Sequence, residues 1–186
     1  MGYMSPNLRV GSDHIYHLEF RKVKQPSVEF EPGRMTIVLP KGDNPEEVVR
    51  ANSEWIGHVH ASVQSVLRVA RTRELKERTQ PEFRALVWKL ADGYASELGV
   101  DFYKIHFKRT TDKWACCGTD GNLTFNTLMR NLPEHLIEFV VFHEVAHRRH
   151  MDHGKVFQRI MKEKFPNKVQ IDMELYVYWL IVNRVG

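Results

Sequence analysis

The sequence predicts an α+β fold, with a small antiparallel β segment near the N-terminus set beside a helical layer. Two patterns lead to it. Short extended runs separated by turn residues fill positions 15–40, and apolar residues at helical spacing, introduced by prolines or cap residues, fill most of the remainder. A chain of 186 residues can also bury a sizeable core without disulfides.

In the β segment, residues 14–23 alternate loosely, 26–30 read as a strand, Glu31-Pro32-Gly33 as a turn and 35–39 as a β-rich run. Arg21, Lys22 and Lys24 read as its solvated face. Asn44-Pro45-Glu46-Glu47 then supplies a cap, a first-position proline and first-turn acids. Val48, Val49, Trp55, Ile56 and Val59 carry that helix to about residue 60, and the basic stretch 61–77 either continues it or leads to the next. Pro81 opens a long helix with Phe83, Leu86, Val87, Leu90, Tyr94 and Leu98 on one face, stopped by Gly99. Residues 1–60 are expected to form the β segment and first helix, packed on a core of residues 61–186.

Residues 102–108 alternate as a strand, and 113–117 with 122–125 suggest a hairpin closed through Thr119-Asp120-Gly121. Pro133-Glu134 begins a helix through Leu136, Val140, His143 and His147. A break at 151–154 precedes a helix over 155–165, and a largely apolar packing helix covers 169–182.

Composition narrows the class. Hydrophobic residues make up 42% and charged residues 27%, as in ordinary soluble domains. The longest apolar run, 175–182, is far short of the ~20 residues that cross a bilayer, and residues 1–10 lack the apolar run of a signal peptide. Cys116 and Cys117 are neighbours and too close to bridge without strain, so a reducing, cytoplasmic setting is expected. A net charge of +4 permits an acidic partner such as nucleic acid and equally describes a soluble protein without one.

The chemistry lies in His143-Glu144-Val145-Ala146-His147. Four residues along a helix amount to about 40° of rotation, so both imidazoles share a face and suit one zinc ion at ~2.0–2.1 Å. Glu144 is turned by about 100° from His143, within reach of a water on the metal but poorly placed to ligate it. Zinc lowers the pKa of its water towards ~7, and a carboxylate there accepts the proton. The pattern arises by chance in about 4 of 100 chains of this composition, so its context matters. It falls inside a helix expected on other grounds, flanked by Phe139, Val140, Val141, Phe142 and Val145.

A catalytic zinc needs a third protein ligand and one open position. His150 shares the face of His147 but stands about 10 Å along the axis from His143, too far for a straight helix to converge. His153 lies beyond the break, where the chain can turn back; Gly154 eases that turn and Asp152 is placed to cap the next helix. His153 is therefore the chosen ligand, with His150 left to an outer or surface role and Glu163 and Glu174 as carboxylate alternatives. One zinc ion per chain follows.

Around these residues the chain resembles the YgjP-like metallopeptidase-domain family. The likeness runs through Trp114-Ala115-Cys116-Cys117, Gly121-Asn122-Leu123-Thr124-Phe125-Asn126, Pro133, the His143–His147 motif and Asp152-His153-Gly154-Lys155-Val156-Phe157. The β segment at 35–40, Pro45-Glu46-Glu47 and Trp55-Ile56 extend it over nearly the whole chain. The resemblance implies a zincin-like catalytic domain with ligands at His143, His147 and His153 and with Glu144 as general base. It also implies a hairpin strand beside the active-site helix, to which an extended substrate could add. Ala115 and Cys116 replace a Gly-Ser pair, Asp152 an Asn and Gly154 a Ser, and none of these changes removes a ligand. Cys117 matches the family's cysteine; as a fourth soft ligand it would close the site, and as a small buried residue it would leave the site open.

The expected activity is zinc-dependent hydrolysis of a peptide or protein, with metal-bound water activated by Glu144. Two alternatives keep other partners in view. One is a metal-dependent nucleoside triphosphate pyrophosphatase, although no Gly-rich phosphate loop occurs. The other is a SprT-like DNA-associated protease or DNA-binding protein, motivated by Arg68, Arg71, Arg73, Lys76 and Arg78.

Overall fold

A computed structural model describes residues 16–183 except 33, 43, 73 and 74; the expectation for residues 1–10 and the turn glycine Gly33 lie outside the described residues. Among the described residues the architecture is α+β, with two small sheets and six α-helices.

The N-terminal sheet holds β1 (His17–Arg21), β2 (Ser27–Glu31) and β3 (Arg34–Pro40) in the order β1-β3-β2. The β2–β3 pair is antiparallel, but β1 runs parallel to β3, so the sheet is mixed where a purely antiparallel one was expected. The burial pattern gives the reason. Met35 to Leu39 of β3 are buried without interruption, which requires cover on both faces and a central place, whereas β1 and β2 keep exposed positions and take the edges.

Two helices stand where one was expected. Asn44 caps α1 (Pro45–Ala51) by accepting from the Glu46 amide at 3.0 Å. Asn52 then interrupts the chain, its side-chain amide donating to the Val48 carbonyl at 2.7 Å in competition with the backbone ladder. From there α2 (Ser53–Thr72) runs past residue 60, so the basic stretch continues the helix as far as Thr72. A reciprocal capping box between Thr79 and Glu82 starts α3 (Gln80–Leu98), and Gly99, at φ 63°, ends it.

The second sheet has the order β4-β6-β5, from β4 (Ile105–Lys108), β5 (Ala115–Cys117) and β6 (Leu123–Asn126). Its hairpin closes where the sequence places it, with the Gly121 amide donating to the Gly118 carbonyl at 2.9 Å. Gly121 sits at φ 82°, and a Cβ there would lie 2.9 Å from the Tyr103 ring and 3.0 Å from the Arg148 guanidinium carbon, so any side chain would be strained and would push these neighbours aside.

Asn126 joins this sheet to the loop before it. Its buried amide donates to the Thr110 carbonyl at 2.9 Å, the Thr110 hydroxyl at 2.7 Å and the Lys113 carbonyl at 2.9 Å. Its side-chain oxygen accepts from the Leu128 amide at 3.0 Å and starts the 3₁₀ turn Thr127–Asn131. Asn126→Ala is expected to destabilise the fold by about 3 kcal/mol, because a buried amide and several partly buried bonds are lost together. A denaturant midpoint lowered at unchanged m-value checks this.

Three helices complete the molecule: α4 (Glu134–His147), α5 (Lys155–Lys164) and α6 (Lys168–Val182). The apolar character of α6 follows from its position between two cores. Its Ile171, Leu175, Tyr178, Trp179 and Val182 join the core of α3, α4, α5 and the second sheet, while Tyr176 and Val177 pack with Met35, Val63 and Leu67. Trp114 is a core residue, edge-on to Trp179 at 4.8 Å.

Candidate metal centre

Helix α4 is buried on nearly every side, so whatever polar groups it carries must find partners inside the protein. It ends at His147, after which the Arg148 and Arg149 amides tighten onto the Val145 and Ala146 carbonyls. His150 is not among the side chains that converge with His147. Its carbonyl accepts the His147 Nδ1 proton at 3.0 Å, which leaves the His147 Nε2 with a free lone pair.

His153 reaches the same point from the loop. The Asp152 carboxylate accepts from the Gly154 amide at 2.8 Å and closes a tight turn, instead of capping α5. Gly154 has an ordinary φ of −64°; a Cβ there would come 2.7 Å from the Asp152 oxygen, so its smallness serves this close approach and not backbone freedom.

The three rings converge. The His143 Nε2 is 3.1 Å from that of His147 and 3.1 Å from that of His153. Two nitrogens bound to one tetrahedral zinc at ~2.0–2.1 Å stand about 3.3–3.4 Å apart, close to these separations. Protons alone do not satisfy the cluster. With His147 protonated on Nδ1, a proton on the His143 Nε2 must be shared between both neighbours, and without it two lone pairs face each other. A cation at the common point resolves all three, so the donor set fits a divalent metal. Burial, followed by the neighbouring histidines, pushes the pKa of His143 down to about 3, and burial also lowers that of His147, which keeps both rings neutral as ligands must be.

Glu144 lies beside this cluster with only 7% exposure. Burial raises its pKa to about 8, opposed by a hydrogen bond from the Cys117 backbone amide and by the Lys113 ammonium. The sheet register explains that bond. Bonds from Asn126 to the Trp114 carbonyl and from Gly118 to the Asn122 carbonyl flank the Cys117–Leu123 pair, so the Cys117 amide points outward from β6, towards α4.

His143, His147 and His153 form the one cluster of three metal-ligating side chains among the described residues. The Cys117 thiol is not part of it and donates to the Gly118 carbonyl at 3.6 Å. Glu163 pairs with Arg159 and Glu174 with His135. Phe157, which sequence reasoning did not single out, lies fully buried against all three imidazoles. No helical spacing from His143 or His147 marks it, because it stands on α5, beyond the break after α4.

The arginines proposed for nucleic acid are partly committed elsewhere. Arg78 donates to the Leu132 carbonyl at 2.6 Å and the Arg130 carbonyl at 3.2 Å, fastening the segment before α3 to the 3₁₀ turn. The Arg71 side chain and Arg73 lie outside the described residues.

A family profile described as YgjP-like, metallopeptidase domain, matches residues 59–177. The chain belongs to this family. Membership makes this YgjP-like protein a metal-dependent hydrolase, and the matched span contains every residue of the histidine cluster together with Glu144 and Cys117. No curated protein is significantly similar to the chain. Among solved structures, this YgjP-like chain is similar to the crystal structure of the metallopeptidase zymogen of Pyrococcus abyssi abylysin, at 22% identity and a TM-score of 0.42, over 48% of this chain and 87% of that one. Among the described residues, no helix is long and apolar enough to cross a membrane.

Proposed function

We propose that the protein is a zinc-dependent peptidase in which His143, His147 and His153 hold one zinc ion per chain and Glu144 carries the proton. The observation that carries this reading is the convergence of three Nε2 atoms beside a buried carboxylate on the same helix. Three neutral imidazoles favour zinc among the available divalent ions, and when bound the metal supplies Lewis acidity to a carbonyl and acidifies water.

The chain's own groups do the rest. Next to a cation Glu144 titrates lower than it does alone, while burial keeps it a stronger proton acceptor than an exposed carboxylate. It takes the proton of the attacking water and returns it to the leaving amine nitrogen. The Cys117 amide holds that carboxylate in place. As an edge strand, β5 turns the Ala115 amide and carbonyl and the Cys117 carbonyl outward, a row to which an extended peptide can add. A buried histidine helix beside such an edge supports a zincin-like catalytic domain. The free, adjacent cysteines favour a reducing, cytoplasmic setting.

Zinc-loaded protein is expected to cleave members of a quenched-fluorescence peptide library, to lose that activity with a chelator, and to leave nucleoside triphosphates intact. Nucleotide turnover without peptide cleavage would overturn the peptidase reading.

A further inference from the structure

We infer that Phe157 is a positioning residue that sets the three candidate metal ligands in their holding geometry before any ion arrives; this rests on the proposed zinc site. A histidine ring turns easily about its last torsion, whose energy wells are broad and roughly two-fold. Metal-binding histidines are ordinarily fixed by a hydrogen bond to the ring nitrogen that does not face the metal. Here that bond exists at His147, through the His150 carbonyl. Among the described residues, no protein group hydrogen-bonds the Nδ1 of His143 or of His153, so no carbonyl or carboxylate fixes these two rings as the His150 carbonyl fixes His147.

Phe157 supplies a different one. Its ring stacks on His147, with centroids 4.5 Å apart and planes 19° apart. It meets His143 at 5.0 Å and 74°, and His153 at 4.9 Å and 79°. Each contact is an arrangement that aromatic rings favour, stacked or edge-on. A single ring therefore limits the tilt of all three imidazoles. It is itself fully buried on α5, four residues past His153. Among the described residues, Phe139 is the other aromatic side chain in ring contact with the cluster, and it reaches only His143, at 6.3 Å.

The test separates positioning from general packing. Phe157→Leu keeps an apolar side chain but removes the ring, and Phe83→Leu makes the same change at a fully buried position whose ring contact is Phe107 instead of a ligand. Zinc dissociation constants measured by chelator competition should rise about 10–100-fold for Phe157→Leu, the range that outer partners of a metal site command. Phe83→Leu should stay within about twofold of wild type. Equal weakening in both variants, or none in Phe157→Leu, overturns the inference. Should Phe157→Leu not fold, metal-free wild-type protein decides: the His147 ring protons should resonate upfield from the stacked phenyl, and unshifted signals overturn it. Wild-type protein that binds no zinc contradicts the site itself, a different outcome from a wild type and Phe157→Leu that bind equally well.

Discussion

Replacing Glu144 with glutamine is expected to slow peptide hydrolysis by about 10²–10⁴-fold, the contribution a positioned acid–base group makes. Glutamine has the shape of glutamate and can still accept the Cys117 amide through its oxygen, so the β5–α4 contact should persist. What it loses is the capacity to take a proton. Zinc content should remain at one ion per chain, because Glu144 is not among the converging ligands. The fold should hold or gain, since a buried carboxyl whose ionisation burial opposes is exchanged for a neutral amide. Initial rates on one cleaved peptide, with metal analysis of the same preparation, check both halves. Wild-type rates in the variant would remove Glu144 from the chemistry.

The second large effect concerns the metal's hold on stability. Zinc at about 100 times its dissociation constant should add about 2.7 kcal/mol to the native state. For a chain of this size that raises Tm by roughly 5–11 °C. In His153→Ala the rise should vanish. His153 is exposed and sits in a loop, so the substitution should leave the metal-free protein within about 0.5 kcal/mol of wild type. The comparison thus isolates ligation from folding. His147→Ala is a poorer probe, because that ring is buried, stacked and hydrogen-bonded. A full zinc-induced rise in His153→Ala would show that the third ligand lies elsewhere.

Much of the fold was legible because its signals are local. Asn44 with Pro45, and Gly99 at a left-handed φ, mark helix ends through neighbouring backbone groups alone. The β5–β6 hairpin is equally local, closed by a turn whose glycine takes a left-handed φ. The parallel pairing of β1 with β3 was not legible. It depends on which strand must be covered on both faces, and that is set by tertiary packing such as that of Met35 against Val63 and Leu67 of α2 and Tyr176 and Val177 of α6. The break at Asn52 turns on a side-chain bond that a helical pattern of apolar residues does not register.

The site divides in the same way. Spacing alone puts His143 and His147 on one face and Glu144 to the side. It could not reveal that the His150 carbonyl fixes the His147 tautomer, that the Cys117 amide meets Glu144, or that Phe157 underlies the cluster. Each of those contacts joins different parts of the chain, and each serves to orient a group the sequence had already nominated.

Zinc K-edge absorption spectroscopy of the loaded protein, wild type beside His153→Ala, bears most directly on the convergence of these imidazoles. Wild type should give about three imidazole nitrogens and one further oxygen neighbour at ~2.0–2.1 Å, with one imidazole lost in the variant. A sulfur shell near ~2.3 Å, or an imidazole count unchanged by the substitution, would contradict the account.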